Sequence, residues 1–212
     1  MKVFAINGSP KENGNTALAV RTVLCEIELA GIETEFATIG QKPIRGCLAC
    51  GTCAENKNRQ CAINNDAVNE LLPKMLEADA LVVGSPTYYS GLNGTVKSFL
   101  DRAFYVAAAN GSLFRHKVGA SVIAVRRSGG IPAFDQLNKY FQISEMITIG
   151  SSYWNVIHGT TPGEAAQDAE GMQVMRNLGR NTAWLLKLIE HGKDAVPPPQ
   201  PELPKARTNF IR

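Results

Sequence analysis

Apolar residues fall along this chain in two rhythms. Val3-Phe4-Ala5-Ile6, Ala80-Leu81-Val82-Val83 and Ala120-Ser121-Val122-Ile123-Ala124-Val125 are short apolar runs, the pattern of strands buried on both faces. The stretches between them carry apolar residues mixed with polar ones, as around Val20, Val23, Leu24 and Ile27. This alternation predicts strands near residues 2–7, 33–39, 79–84, 119–125 and 146–157, and helices near 15–30, 66–77, 93–104, 132–142 and 164–191. Strands alternating with helices build a parallel sheet covered on both faces, an α/β fold. The expected organisation is one domain over residues 1–192, with a cysteine-bearing loop at 43–65, followed by a tail at 193–212. The run from Val196 to Pro204 is too rich in proline to be helical and is expected to be extended. The tail closes on Asn209-Phe210-Ile211-Arg212, apolar for a free end, which leaves two readings, a disordered terminus and an arm docked on a neighbouring subunit.

The strand ends carry the candidate chemistry. Gly8-Ser9-Pro10-Lys11-Glu12-Asn13-Gly14-Asn15-Thr16 links the first strand to the first helix. A helix start offers unpaired N–H groups and partial positive charge, and hydroxyls nearby complete an anion cradle. Neither the P-loop nor the dinucleotide fingerprint is present, which argues against both of those nucleotide classes. A second loop, Ser85-Pro86-Thr87-Tyr88-Tyr89-Ser90-Gly91, follows the third strand and offers aromatic faces with small polar groups. A third, Arg126-Arg127-Ser128-Gly129-Gly130, follows the fourth strand. In open α/β sheets ligands bind outside the carboxyl ends of the strands. An anion loop beside an aromatic loop describes a mononucleotide with a large flat head, and FMN is the natural candidate.

The first loop, the stretch from Ser85 to Arg102 and the later Tyr153-Trp154-Asn155-Val156 resemble the flavodoxin-like NAD(P)H-dependent FMN reductases, and more narrowly their iron–sulfur flavoprotein branch. The resemblance covers most of residues 1–190. It implies a doubly wound five-stranded parallel sheet in the order 2-1-3-4-5 and one non-covalent FMN per subunit. It also implies dimers or tetramers with each flavin near a subunit boundary. Ser9, Asn15 and Thr16 are then expected on the phosphate, with Lys11 and Asn13 in the same loop. Pro86, Thr87, Tyr88, Tyr89 and Gly91 should line the isoalloxazine, and Ser128 and Gly129 its pyrimidine side. The chemistry is flavin-centred, so no side chain is assigned as a catalytic acid or base.

Cys47, Cys50, Cys53 and Cys61 follow the spacing C-x2-C-x2-C-x7-C. Three thiols in so compact a run suit a [4Fe–4S] cluster better than zinc, whose sites more often use two separated pairs. The related flavoproteins carry a compact motif of this form, with this chain at its long limit. Free thiols kept without iron are the competing reading. A fifth cysteine, Cys25, sits among the apolar residues of the first helix and is expected to be buried. His116 and His158 have no acidic or thiol partner at ligand spacing. Asp101-Arg102 reads as an ion pair within a helix or at an interface, and Tyr153-Trp154 as core packing with a flavin cover or a subunit contact as alternatives.

A net charge of +3, spread along the chain, gives no case for nucleic acid. No apolar stretch approaches the roughly 20 residues needed to cross a bilayer, and the N-terminus enters a strand at once, so a cytoplasmic protein is expected. Three functions remain open. One is a cluster-bearing electron-transfer flavoprotein served by a ferredoxin. Another is an NAD(P)H-dependent reductase passing electrons to a quinone, nitro, azo or metal acceptor. The last is a non-catalytic FMN-binding or regulatory module.

Overall fold

A computed structural model describes residues 1–203, 206 and 208–210. Its elements are β1 (Lys2–Asn7), α1 (Asn15–Leu29), β2 (Glu33–Thr38), α2 (Thr52–Asn56), α3 (Val68–Glu77), β3 (Ala80–Tyr88) and β4 (Gly91–Leu92), then α4 (Gly94–Ala109), β5 (Val118–Val125), α5 (Gly130–Ile143), β6 (Ile147–Thr148) and β7 (Val156–His158), and last a 3-10 turn (Glu164–Gln167) and α6 (Ala169–Gly192). The parallel strands run in the order β2-β1-β3-β5, with β6 and β7 both pairing to the far side of β5. This is the doubly wound order expected, with seven strands in place of five. The fifth expected strand is two short segments, because residues 149–155 leave the sheet between them. The other extra strand, β4, turns back antiparallel on the end of β3.

Successive strand residues point to opposite faces, so each strand feeds two cores. Phe4, Ile6, Leu81 and Val83 pack with α3, α4 and α5 on one side. Val3, Ala5, Val82 and Val118 pack with α1 and α6 on the other. Cys25 is exposed, which corrects the expectation of burial. Val23, Leu24 and Ile27 form the inner face of α1, and a residue one step beyond Leu24 is carried about 100° around the helix towards solvent. No helix among the described residues is long and apolar enough to span a membrane. Beyond α6 the described residues 197–202 form no helix or strand and are exposed, as the prolines require. Phe210 is also exposed, while Ile211 and Arg212, the end of the expected arm, lie outside the described residues.

Candidate functional site

The carboxyl ends of β1, β3, β5 and β7 converge on one rim, as parallel pairing in register requires. From β1, Asn7 shapes the first loop. Its Oδ1 accepts the Ser9 N–H at 3.1 Å, and its Nδ2 donates to Thr38 Oγ1 at 3.2 Å. Ser9 Oγ accepts the Lys11 N–H at 3.2 Å, and the loop closes with the Gly14 N–H on Lys11 O. Gly14 stands at the start of α1 and provides no side-chain cap, so the first N–H groups of the helix keep their capacity for an anion. Ser9, Lys11, Gly14, Asn15, Thr16, Pro86, Thr87 and Tyr88 line one cavity of about 200 Å³ with Arg126, Gly159, Thr160 and Pro162. Of those from Ser9 to Tyr88, all but Gly14 are residues expected on the flavin, so seven of the expected twelve meet around one space. Asn13, exposed on the loop, is not among the lining residues. Asn15 is partly committed elsewhere, since its Oδ1 accepts the Ala165 N–H at 3.1 Å and ties α1 to the 3-10 turn.

The aromatic loop is a tight hairpin. Thr87 pairs with Leu92 and Tyr88 with Gly91, leaving Tyr89 and Ser90 at its tip with φ of 49° and 59°. Two left-handed residues match a type I′ turn, which ordinarily prefers Asn-Gly, so a bulky Tyr there costs about 1–2 kcal/mol. The turn is held from below. Asn93 caps α4 through Thr95 N at 2.8 Å, and its own N–H reaches Ser85 Oγ at 3.2 Å. Tyr89 projects fully into solvent at the tip. Gly91 lies in the return strand, and Gln136 Oε1 accepts the next N–H, of Leu92, at 2.9 Å.

Ser128 and Gly129 border a neighbouring cavity of about 410 Å³ with Arg127, Tyr153, Trp154, His158 and Asp168. Gly129 has φ of 84°, and a Cβ there would stand 2.5 Å from Ser90 Oγ, so the third loop packs directly on the aromatic hairpin. Tyr153 and Trp154 are exposed and line this cavity, which corrects the reading of them as core. His158 is likewise not alone. Its Nδ1 lies 3.4 Å from Asp168 Oδ2, an oxygen that also accepts the His158 N–H at 2.8 Å. Burial pushes the Asp168 carboxyl up, but hydrogen bonds from the Gly171 and His158 N–H groups outweigh it and hold it low. The fourth loop, Gly159-Thr160-Thr161-Pro162-Gly163, was missed as a site element. Its signal is the one used for the others, a strand followed by glycine and hydroxyl residues, hidden here by the shortness of β7.

The residues at the first cavity suit a flavin nucleotide. The uncapped helix start, with Lys11 and Arg126 beside it, matches a phosphate. Thr87 Oγ1 is buried without a partner, although unsatisfied buried hydroxyls are costly. The sequence pattern that defines the NADPH-dependent FMN reductases matches residues 1–161. The chain belongs to this family. An iron–sulfur flavoprotein of Methanocaldococcus jannaschii is 38% identical over 197 residues, covering 90% of this chain and all (100%) of that protein. One from Methanosarcina thermophila is 29% identical over 196 residues, 92% of this chain and 100% of the other. A flavodoxin from the domain Archaea superposes with a TM-score of 0.58 at 18% identity, covering 88% of this chain and 99% of that one, a likeness of fold. This family member is thus a flavoprotein of the iron–sulfur flavoprotein branch, and its reaction class is FMN-dependent oxidoreduction.

The cysteine loop lies along α4, beyond the hairpin. Cys47, Cys50, Cys53 and Cys61 border one small pocket with Leu48, Ile63, Arg102 and Tyr105. Ala49 and Gly51 take left-handed backbone there, with φ of 52° and 79°, which turns the run tightly between the first three cysteines. Asn69 grips Cys61 by both backbone groups, accepting its N–H and donating to its carbonyl at 2.8 Å each. Hydrogen bonds from the Thr52 hydroxyl and N–H lower the Cys50 thiol from its usual range, whereas burial raises that of Cys53. Among the described residues no group of three or more His, Cys, Asp or Glu closes on a point tightly enough to grip a single metal ion. Arg102 pairs with Asp66 across the fold, so of the two residues expected in ion pairs only Asp101 finds its partner within the helix. Asp101 pairs with Lys97 one turn back on α4 and accepts from the Tyr140 hydroxyl.

Proposed function

We propose that this chain relays electrons from a reduced nicotinamide nucleotide or a ferredoxin through FMN. They pass onward to a small acceptor such as a quinone, nitro, azo or metal compound, or to a [4Fe–4S] cluster on Cys47, Cys50, Cys53 and Cys61. The observation that carries the reading is the single cavity formed by the anion loop, the aromatic hairpin and Arg126. Within it α1 receives the phosphate at its free N–H groups, with Ser9 and Thr16 beside them, and Thr87 and Tyr88 orient the ring edge. FMN supplies hydride acceptance and one-electron donation, which protein side chains lack. The cysteine pocket supports the cluster, because all four cysteines border one space and a cube of iron and sulfide is broader than a single ion.

The same reading has a second copy of the chain covering the flavin rim. Tyr89, Tyr153 and Trp154 are 107%, 64% and 53% exposed beside the two cavities, and apolar groups massed at a rim commonly mark an interface. The free thiols support a reducing compartment, the cytoplasm.

Anaerobic purification with flavin, iron and sulfide measured per chain tests the proposal. One FMN with about four irons and four sulfides is the expected composition. Flavin bleached by NADH or NADPH in an iron-free protein selects the FMN-only reductase. Bound FMN that no nicotinamide nucleotide or ferredoxin reduces leaves a non-catalytic module. Light scattering that finds a 22.9 kDa particle with FMN bound removes the second copy.

A further inference from the structure

Arg102 is among the largest fully buried side chains of the protein, and nothing in the flavin site uses it. It lies on α4, and its guanidinium reaches the cysteine loop with every nitrogen engaged. Nε donates to Cys61 Sγ at 3.2 Å, Nη2 to the Ile63 carbonyl at 2.7 Å, and Nη1 to the Arg45 carbonyl at 3.1 Å and to Asp66. The Asp66 side chain is itself only 4% exposed. Burying such a pair is costly, and the carbonyls of Arg45 and Ile63 with the Asp66 carboxylate would already clamp the loop. The remaining nitrogen, Nε, donates to a sulfur. The same helix begins at the aromatic hairpin, so Gly94 and Arg102 stand about 12 Å apart along one rigid axis.

We propose that Arg102 is a positioning residue that fixes the Cys61 sulfur and sets how readily the thiolate-held cluster accepts an electron, an inference that rests on the cluster reading above. A fixed positive charge and an N–H donor at a ligand sulfur stabilise the form that carries more negative charge, the reduced one. Hydrogen bonds to sulfur and local charge are among the features that set cluster potentials. Asp66 opposes this with a fixed negative charge on the same guanidinium. The two residues therefore act with opposite signs. One electron is gained in the couple concerned, and no bond or proton at Arg102 changes.

The test compares the full-length protein with Arg102→Gln, Arg102→Lys and Asp66→Asn, each reconstituted anaerobically with iron and sulfide. Iron and sulfide are measured per chain, and the cluster potential is read by electron paramagnetic resonance during dithionite titration. At the potential where the parent is half reduced, Arg102→Gln should raise the oxidised-to-reduced ratio about tenfold, a fall of about 59 mV for one electron. Arg102→Lys keeps the charge but loses the planar donor, so its fall should be smaller. Asp66→Asn should shift the potential the other way. If Arg102→Gln holds no iron, the lysine and asparagine variants carry the comparison. Unchanged potentials, or shifts of one sign in all variants, overturn the inference, because loosening of the loop has no reason to reverse sign at Asp66. Loss of iron from all three reduces Arg102 to a structural clamp and overturns it as well. A parent with FMN but neither iron nor sulfide overturns the cluster reading itself, and the inference with it.

Discussion

Gly8→Ala probes whether the anion loop must press against the sheet and α4. The Gly8 N–H donates to Gly84 O at 2.8 Å, which joins the loop to β3. A Cβ on Gly8 would overlap the Val96 Cγ2 methyl, and would stand 3.3 Å from Val96 Cβ and 2.8 Å from Gly84 O. Val96 is fully buried, so its methyl has no free space to enter, and the Gly84 oxygen belongs to a paired strand. Forcing a methyl into a packed core costs typically about 1–3 kcal/mol, and contact with backbone as well as side chain places this case near the upper end. Urea unfolding of the FMN-free protein should record the loss. Val96→Ala removes the overlapping methyl, so the double variant should lose less than the sum of the two singles, by about 1 kcal/mol or more. The Gly84 contact persists, so the rescue is partial. FMN affinity should fall in parallel, because moving Gly8 carries Ser9 with it. A stable Gly8→Ala, or two single effects that merely add, would refute the close-packing argument.

Thr16→Val keeps the methyl that faces the Gly84 position and removes only the hydroxyl at the helix start. FMN should bind about 1–3 kcal/mol more weakly, the cost of a lost bond to a charged partner, with FMN-free stability nearly unchanged. Equal affinity in a fluorescence titration would remove Thr16 from the phosphate site. Tyr140 gives a pH signature. Burial, then the Asp101 carboxylate that accepts from its hydroxyl, pushes its phenol up from 10.0 to about 12. The stabilisation is fully present below pH 10, because both states are then protonated, and is lost as pH rises towards about 12 while the unfolded chain ionises first. Unfolding free energies across that window should show this fall in the parent and lack it in Tyr140→Phe. The same slope in both would assign it elsewhere.

The order of elements, the double-faced sheet and the three loops at strand ends were legible in the sequence. Each depends on local order: apolar runs become buried strands, and glycine with small polar residues breaks the chain where a strand gives way to a helix. The family motif is local as well, so Ser9, Thr16, Pro86, Thr87 and Tyr88 could be named before any contact was known. What the tertiary structure decided is which face and which partner each side chain met. Helical phase placed Cys25 outside, because one step along a helix turns a side chain by about 100° and apolar neighbours do not fix which residue faces the core. The hairpin put Tyr89 at an exposed tip while Tyr88 lines the cavity, a split set by strand pairing and invisible in two identical letters. Asp168 came to His158 through the packing of α6 on β7. Arg102 found Asp66 and Cys61 across 36 and 41 residues of chain, whereas its sequence neighbour Asp101 turned away to Lys97 and Tyr140. Adjacent helical residues point about 100° apart, so adjacency in sequence cannot name an ion pair, and only the closed fold shows which charges share a buried space.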